Sequence, residues 1–308
     1  MKASESFIAI GHRYFMAVAE TGSVRAAARQ LNVAASAISR QLIMLEAQLG
    51  IALFDRGGRN LELSPAGDVL LRGLRAAAQG HEETLDHLSA LRGLKRGRVR
   101  VATVESISVS VLPDVLLAFA KTYPGIQVTV TVAGSDAVTE LVRDHHADVG
   151  FTFNPMALEG LEVEMTRDLQ LGATMAPSHP LAKAKKLTLT ECLAYPVAWP
   201  SRGLSLRAIL DRATTVMARQ PQPVFECNSL RLMASLARRG SCIAFQTPIG
   251  IEQELKAKTL VFVPLTDRRL PADRLMIVRR PGRTGRLAAD AFLALAKERL
   301  PAGRDVRK

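Results

Sequence analysis

Residues 23–50, SVRAAARQLNVAASAISRQLIMLEAQLG, predict two short helices joined by a tight turn. Ser23 is a favoured N-terminal cap for the first helix, and Asn32 tolerates the left-handed backbone that a sharp turn needs. Gly50 is the expected C-terminal cap of the second helix. A preceding helix, Phe7 to Glu20, completes a small three-helix core. The predicted core positions are Tyr14, Phe15, Val18, Val24, Ala27, Ala28, Leu31, Ile38, Leu42, Leu45 and Leu49.

The second helix of this pair presents a different set of residues on its outward face. The predicted outward residues are Ala35, Ser36, Ser39, Arg40 and Ile43. In a helix-turn-helix, the N-terminal residues of the second helix meet the edges of DNA bases, and an arginine is the commonest specific reader of guanine. We therefore expect Ser23, Ala35, Ser36, Ser39 and Arg40 to contact DNA. A helical pair of this kind also occurs as an ordinary αα-hairpin, which the segment alone leaves open.

The stretch 53–63, LFDRGGRNLEL, predicts a β-hairpin next to the helical pair. Two short extended runs flank Gly57-Gly58, a favoured turn dipeptide, so Arg56 and Arg59 are expected near the hairpin tip. A basic hairpin beside a recognition helix is a wing, and its arginines position the protein on phosphates without reading sequence. The alternative is a solvated hairpin whose arginines contribute little.

Ser64-Pro65 is typical of a helix start and predicts a long helix after the hairpin. Its apolar positions recur at steps close to four and three, which favours packing against another helix. They are Leu70, Leu74, Ala77, His81, Thr84 or Leu85, Leu88 and Leu91. We expect the same helix of a second subunit as the partner, giving a homodimer or homotetramer, because two recognition helices need two half-sites. The alternative is an amphipathic helix that lies on its own domain.

Beyond a basic, glycine-containing hinge at residues 93–98, the chain changes to strands alternating with helices. This alternation predicts parallel pairing and ligands at the carboxyl ends of the strands. Two such series, with two crossings between them, predict two α/β lobes around a cleft. The expected boundaries are 1–64 for the winged helix-turn-helix, 65–96 for linker helix and hinge, and 97–308 for the α/β domain. Within the last, lobe I is expected at 97–167 and 267–308, and lobe II at 168–266.

Polar residues at the expected strand ends and helix starts are candidates for binding a small molecule in the cleft. They are Ser106, Ser135, Asn154, Ser201, Arg202 and Thr247. Hydroxyls at free helix N-termini bind anions readily, so a small carboxylate is the default ligand. Glu105 opposes a highly anionic ligand and favours an amine or hydroxyl on it. Each candidate is alternatively a plain helix cap.

Residues 12–67 resemble the DNA-binding head of LysR-type transcriptional regulators, and the resemblance continues through nearly the whole chain. It is carried by AVAETGSVRAAARQLNV, by AISRQL-x-x-LE-x-QLG, and by LF-x-R followed by L-x-LSPAG. It implies a mainly α winged helix-turn-helix, a linker helix, and a two-lobed α/β effector domain similar to type 2 periplasmic binding proteins. It also implies that the protein regulates transcription by binding double-stranded DNA and a small-molecule effector, and that it is not an enzyme. The chain departs from the family at Ala34-Ala35 and Ile43-Met44, which leaves fewer polar groups to read bases.

Composition agrees with this interpretation. The 308 residues carry 41 basic and 29 acidic side chains, a net charge of +12 that favours a polyanionic partner. The excess is small in residues 1–66, at +2, and large in residues 267–308, at +7, so charge alone does not locate the DNA site. The absence of a long apolar run or a signal-peptide pattern predicts a cytoplasmic protein without membrane contact.

Several other functions find little support in the sequence. No GxSxG, P-loop, HExxH or GxGxxG pattern occurs in the right setting, so no catalytic residues and no cofactor are expected. His145, His146 and Asp148 are weak metal ligands as a set, because adjacent side chains point to different helix faces. Three dispersed cysteines, Cys192, Cys227 and Cys242, are expected as buried apolar residues, with a redox thiol as the alternative. The remaining rivals are a two-lobed solute-binding protein and a nonspecific nucleoid protein.

Overall fold

The computed structural model describes residues 9–55, 61–90, 97–215, 220–281 and 287–300, without the side chains at 79, 82, 83, 86, 87, 89 and 90. The chain divides into two compact units, residues 1–91 and 92–308. The first unit contains α1 (Ile10–Thr21), α2 (Val24–Leu31), α3 (Ala35–Leu49), β1 (Phe54–Asp55), β2 (Glu62–Leu63) and α4 (Pro65–Ala90). No helix among these described ranges is both long enough and apolar enough to cross a membrane.

The turns of the first unit have the backbone conformations that the sequence predicts. Asn32 and Gly50 adopt the left-handed conformation directly after α2 and α3. Gly22 adopts the same conformation after α1. Ser23 occupies the N-terminal cap position of α2, but its side chain makes no capping hydrogen bond. Ser64 does cap α4, since its hydroxyl accepts from Gly67 N at 3.0 Å and donates to Ala52 O at 2.7 Å.

The core of this unit is formed by one face of each of the first three helices together with the start of the hairpin. Phe15 and Phe54 pack with their ring centroids 5.4 Å apart. Leu49 is 47% exposed and does not join the core; this prediction is wrong because the last turn of α3 extends beyond the core. The fully buried members include Phe15, Val18, Ala27, Ile38 and Leu53.

The first turns of α4 also pack on this core, which changes the interpretation of its apolar seam. Leu71 is buried there, and Leu70 and Leu74 are half-buried against the same cluster. A Cβ on Gly67 would lie 2.1 Å from Leu53 O, so the approach of α4 to the strand requires glycine here. The N-terminal part of the predicted seam therefore faces its own domain. Farther along, Leu88 is 56% exposed and available for contact with another chain.

The first lobe of the second unit is built on a five-stranded sheet. Its elements are β3 (Gly97–Thr103), α5 (Glu105–Val109), α6 (Val111–Thr122), β4 (Ile126–Val132), α7 (Ser135–Arg143), β5 (Val149–Phe153), β6 (Glu162–Leu169), β12 (Asp273–Arg279) and α12 (Leu287–Arg299). The strand order is β4-β3-β5-β12-β6. β3 pairs parallel with β4 and β5, as the alternation of strands and helices predicts. β12 pairs antiparallel with both β5 and β6, which the alternation does not predict.

A second lobe is inserted between β6 and β12. Its elements are β7 (Gly172–Met175), α8 (Leu189–Cys192), β8 (Ala198–Pro200), α9 (Ser205–Thr214), β9 (Phe225–Cys227), α10 (Leu230–Arg238), β10 (Ala244–Gln246), α11 (Glu252–Lys256) and β11 (Val261–Pro264). They form an antiparallel sheet of order β10-β7-β11 and a parallel pair β8-β9. The prediction of parallel pairing is thus wrong for the three-stranded sheet.

Each lobe has its own hydrophobic core. In the first lobe, Phe119 of α6 meets Phe292 of α12 edge-on, with centroids 5.2 Å apart. In the second, Trp199 of β8 meets Phe245 of β10 at 5.5 Å. Separate cores leave a cleft between the lobes in which side chains from both can meet.

Candidate functional site

The outer face of α3 is polar, basic and exposed. Ser36 and Arg40 are exposed and Ser39 is half-exposed, while Ile38 and Leu42 on the other side are buried. Arg40 forms no ion pair with another described residue, so its guanidinium is free to pair with an external acceptor. Nothing among the described side chains covers this face.

Two apolar residues extend the same face toward the C-terminus of α3. Ile43 is 60% exposed and Met44 is 48% exposed. Ile43 lies one turn beyond Ser39 and Arg40, so it is placed beside them on the helix. Exposed apolar side chains at these positions can contact thymine methyl groups, which polar residues cannot do as well.

A shallow depression at the start of α3 adds two arginines that sequence reasoning missed. It is lined by Arg25 and Arg29 of α2 and by Asn32, Ala34 and Ala35. Ala34 occupies the N-terminal cap position without a side-chain hydrogen bond, and Ala35 is half-buried beside it. The two exposed arginines lie one turn apart on α2, a spacing that signals a common basic face.

The predicted wing is only partly described. β1 and β2 pair antiparallel, Phe54 with Leu63 and Asp55 with Glu62, as the hairpin prediction requires. Arg56, Arg59 and the turn at Gly57-Gly58 lie outside the described residues.

A cavity of about 300 Å³ lies between the two lobes of the second unit. Ser106, Ser135 and Thr247 line it, as the sequence predicts. The remaining lining residues are Val104, Glu105, Val132, Ala133, Gly134, Phe153, Leu204, Ser205, Leu206, Asn228, Ser229, Leu230, Gln246 and Asp273. Apolar walls with a few polar groups from two lobes are typical of a small-molecule site.

Three of the predicted cleft residues lie outside this lining. Ser201 does not open a helix, because α9 starts at Ser205; its amide instead donates to Cys227 O at 2.8 Å. Arg202 is exposed in the turn that follows. Asn154 does not line the cavity, but its Nδ2 donates at 2.6 Å to Oδ1 of Asp273, which does.

Glu105 joins the two lobes across the cleft. Its carboxylate accepts from the hydroxyl of Ser229 at 2.9 Å and from Arg231 N at 3.3 Å. Both donors lie at the start of α10, where a negative charge is favoured by the helix dipole. Glu105 of lobe I therefore caps a helix of lobe II, a role that the sequence did not indicate.

A second contact between the lobes involves the segment after β10. Gly250 has φ of +94°, and a Cβ there would lie 3.1 Å from both Cα and Cβ of Ser106. Ile249 beside it is buried in the core of the first lobe. Glycine is thus needed at residue 250 for both its conformation and its approach to Ser106.

Two of the cysteines and the acid singled out in the sequence are buried or paired within the fold. Burial raises the pKa of the Cys192 thiol to about 12 and that of Cys242 to about 11, which keeps both protonated and unreactive. Asp148 pairs with Arg100 at 2.9 Å. No group of residues that would hold a metal ion occurs within the described ranges.

Two family models match the chain. The model for the LysR substrate binding domain matches residues 92–301, and the model for the bacterial regulatory helix-turn-helix protein of the LysR family matches residues 12–68. The chain belongs to the LysR family of transcriptional regulators. As a LysR-type regulator, it combines a DNA-binding head with a domain for a small-molecule effector. A solute-binding protein would lack the first domain, and a nucleoid protein would lack the second.

Relatives and solved structures agree with this assignment. A probable nitrogen assimilation transcriptional activator of Synechococcus elongatus is 28% identical over 256 residues, 82% of each chain. An HTH-type transcriptional regulator of Mycobacterium tuberculosis is 30% identical over 264 residues, 82% of this chain and 84% of the relative.

Among solved structures, a full-length OxyR variant from Pseudomonas aeruginosa matches with a TM-score of 0.69 at 14% identity, covering 100% of this chain and 98% of that one. Full-length CbnR, complexed with its target DNA, matches with a TM-score of 0.61 at 22% identity, covering 94% and 99%. At these identities the two structures show the fold that this LysR-type chain shares.

Proposed function

We propose that this LysR-type regulator reads its operator through Ser36, Ser39 and Arg40 of α3, with Ala35 and Ile43 making apolar contacts. The observation that carries the proposal is a face that is exposed and cationic, directly opposite one that is fully buried. Ser23, Arg25 and Arg29, together with Arg56 and Arg59 of the wing, are assigned to the phosphate backbone. Such contacts set orientation and salt dependence, while the base contacts set specificity.

We further propose that two or four copies assemble, with the C-terminal half of α4 as the contact between subunits. Leu88 supports this, since a large apolar side chain that is more than half exposed gains by burial against another chain. Two heads then bind half-sites separated by about one helical turn of DNA. The assembly acts on the chromosome and therefore in the cytoplasm.

The cleft is proposed to hold the effector and to control DNA binding through lobe closure. Ser106, Ser135 and Thr247 are the predicted contacts that line the cavity, whereas Asn154, Ser201 and Arg202 lie outside its lining. An effector that binds one lobe arrangement more tightly shifts the population toward it, and only this difference in affinity can change the DNA complex.

A matched pair of serine variants tests the cleft. Ser205→Leu should fill the rim of the cavity, because Ser205 lines it and is half-exposed, so the larger side chain is tolerated. Ser201→Leu makes the same change four residues earlier, outside the lining. In a reporter strain grown on different nutrients, we expect Ser205→Leu to fix promoter output at one level while Ser201→Leu responds like the wild type.

Equal nutrient responses in both serine variants and the wild type would contradict the assignment of the cleft. Operator affinity of the purified variants, measured without effector, serves as the control and should match the wild type.

A further inference from the structure

The polar lining of the cavity between the lobes carries negative charge without a positive one. Its two charged residues are Glu105 and Asp273, and no lysine, arginine or histidine is among the described residues that line it. Because burial raises the pKa of Asp273 to about 7, its carboxyl is charged above that pH. Both acids then oppose a carboxylate from a ligand, since like charges a few ångströms apart repel strongly where water is scarce. This charge balance runs against a carboxylate effector.

Glu105 already accepts hydrogen bonds from other residues of the chain. Its carboxylate holds Ser229 and the amide of Arg231, so it occupies the N-terminus of α10 that would otherwise receive an anion. The N-terminus of α7 carries its own acid, Asp136, whose carboxylate accepts from Met156 N at 2.7 Å. The carboxylates of Glu105 and Asp136 therefore offset part of the positive charge that the N-termini of α10 and α7 would offer to an anionic ligand.

Asp273, at the start of β12, is the acid that remains available. It is only 7% exposed, and its Oδ1 accepts from Asn154 Nδ2 at 2.6 Å. Its Oδ2 accepts no hydrogen bond from any described residue. The neighbouring cation, Arg274, pairs with Asp168 at 2.8 Å and does not neutralise Asp273. This second oxygen is therefore able to accept a hydrogen bond from a ligand in the cavity that Asp273 lines.

Gln246, at the end of β10, has a hydrogen-bond donor that lacks an acceptor. It is 3% exposed, it lines the same cavity, and its Nε2 has no hydrogen-bond partner within the described part of the chain. Buried donors without acceptors are rare in folded proteins, because each gives up its bonds to water. An acceptor on a ligand would satisfy this amide.

Asp273 and Gln246 belong to different lobes. Asp273 lies in the five-stranded sheet of lobe I, and Gln246 lies in the three-stranded sheet of lobe II. One ligand that bonds both groups would join the lobes, which is the kind of contact that favours a closed arrangement.

We infer that the cleft takes a small neutral or cationic molecule that presents a hydrogen-bond donor to Asp273 and a carbonyl-type acceptor to Gln246. A primary carboxamide is the simplest group with both functions. This replaces the small carboxylate that the helix N-termini alone would favour. The inference rests on the proposed role of the cleft as the effector site.

Matched pairs of small probes test the ligand class. Acetamide, propanamide and benzamide are compared with acetate, propanoate and benzoate at pH 8 by saturation-transfer NMR and calorimetry on the full-length protein. We expect each amide to bind at least tenfold more tightly than its acid. Acids that bind as tightly as their amides, or no binding by either series, would overturn the inference.

Gln246→Met separates a binding role from a structural one. Methionine has nearly the same length and no unsatisfied donor, so we expect the melting temperature of the ligand-free protein to rise while amide affinity falls at least tenfold. Asp273→Asn removes the charge, keeps an oxygen for Asn154, and should narrow the preference for amides by raising the affinity for acids. Ser201→Leu is the control and should bind the probes as the wild type does.

A fall in melting temperature for Gln246→Met would show that the amide has a structural partner and would overturn the inference. If acids bind and Ser205→Leu abolishes that binding, the cleft remains the effector site and only the ligand class is wrong. If neither series binds and Ser205→Leu leaves the nutrient response intact, the proposed role of the cleft fails as well.

Discussion

Replacing Arg40 with alanine is expected to lower affinity for the operator by ~1–3 kcal/mol, or about 5- to 150-fold, through loss of a bidentate contact to guanine. Arg40 is exposed on the outward face of α3 and has no ion-pair partner among the described residues, so we expect the loss to arise at the DNA and not in the fold. Affinity for random DNA should change far less, because nonspecific binding depends on phosphate contacts.

The measurement is a titration of labelled operator and random duplexes at several salt concentrations. Arg72→Ala is the matched control, an exposed arginine on α4 whose nearest acid is Asp68 at 3.9 Å. Unchanged discrimination between operator and random DNA in Arg40→Ala would remove this residue from base readout. A similar loss of operator affinity in Arg72→Ala would show that removing a positive charge, and not a base contact, explains the effect.

Asp273→Asn is expected to change how stability depends on pH. Burial raises the pKa of the Asp273 carboxyl to about 7, partly offset by the hydrogen bond from Asn154. Below about pH 4 the carboxyl is protonated in both folded and unfolded chains, so burial has no ionisation cost. Between about pH 4 and 7 the unfolded chain releases this proton while the folded chain retains it. Folding stability therefore falls with rising pH and levels off above pH 7.

The asparagine variant lacks this cost, so its stability relative to the wild type should rise across the same interval. The difference between pH 4 and pH 8 should be on the order of 2–4 kcal/mol. The charged neighbours are Glu105 in the cavity, Arg274 next to Asp273 on β12, and Asp168 on β6, and the variant leaves all three in place. Urea unfolding of both proteins from pH 4 to 8 makes the comparison, and parallel pH profiles would contradict the account.

The DNA-binding head was the most predictable part of the molecule. Asn32 and Gly50 end helices because few residue types tolerate the left-handed conformation, and this signal is local in sequence. The buried faces of α2 and α3 follow from helical periodicity for the same reason. The differences lie at the edges of the core: Leu49 is exposed beyond it, and Leu70 and Leu74, predicted for the seam of α4, are half-buried against their own domain.

The cleft was less predictable because its geometry depends on distant segments. Alternating strands and helices predicted the parallel pairing of β3 with β4 and β5. The antiparallel position of β12 depends on a return of the chain after more than 100 residues, for which no local pattern exists. Ser201 was misplaced because a turn stabilised by Leu204 N bonding to Ser201 O delays the start of α9 by four residues.

Asp273 and Gln246 were missed for a related reason. Each is an ordinary polar residue at the end of a short strand, and nothing in its immediate sequence shows that it is buried without a complete set of partners. Asn154 lies at the end of β5, as the sequence predicts, but its amide bonds Asp273 and it does not line the cavity. Unsatisfied hydrogen-bonding groups are visible only after the two lobes are brought together.

The central claim is that a pair of heads inserts α3 into the major groove at a specific site. Selection of genomic fragments by the purified full-length protein, followed by footprinting of the selected fragments, tests it directly. We expect one enriched sequence class with two protected half-sites about one helical turn apart, and loss of that enrichment in Arg40→Ala. A monomeric protein that protects no preferred sequence at any salt concentration would contradict the claim.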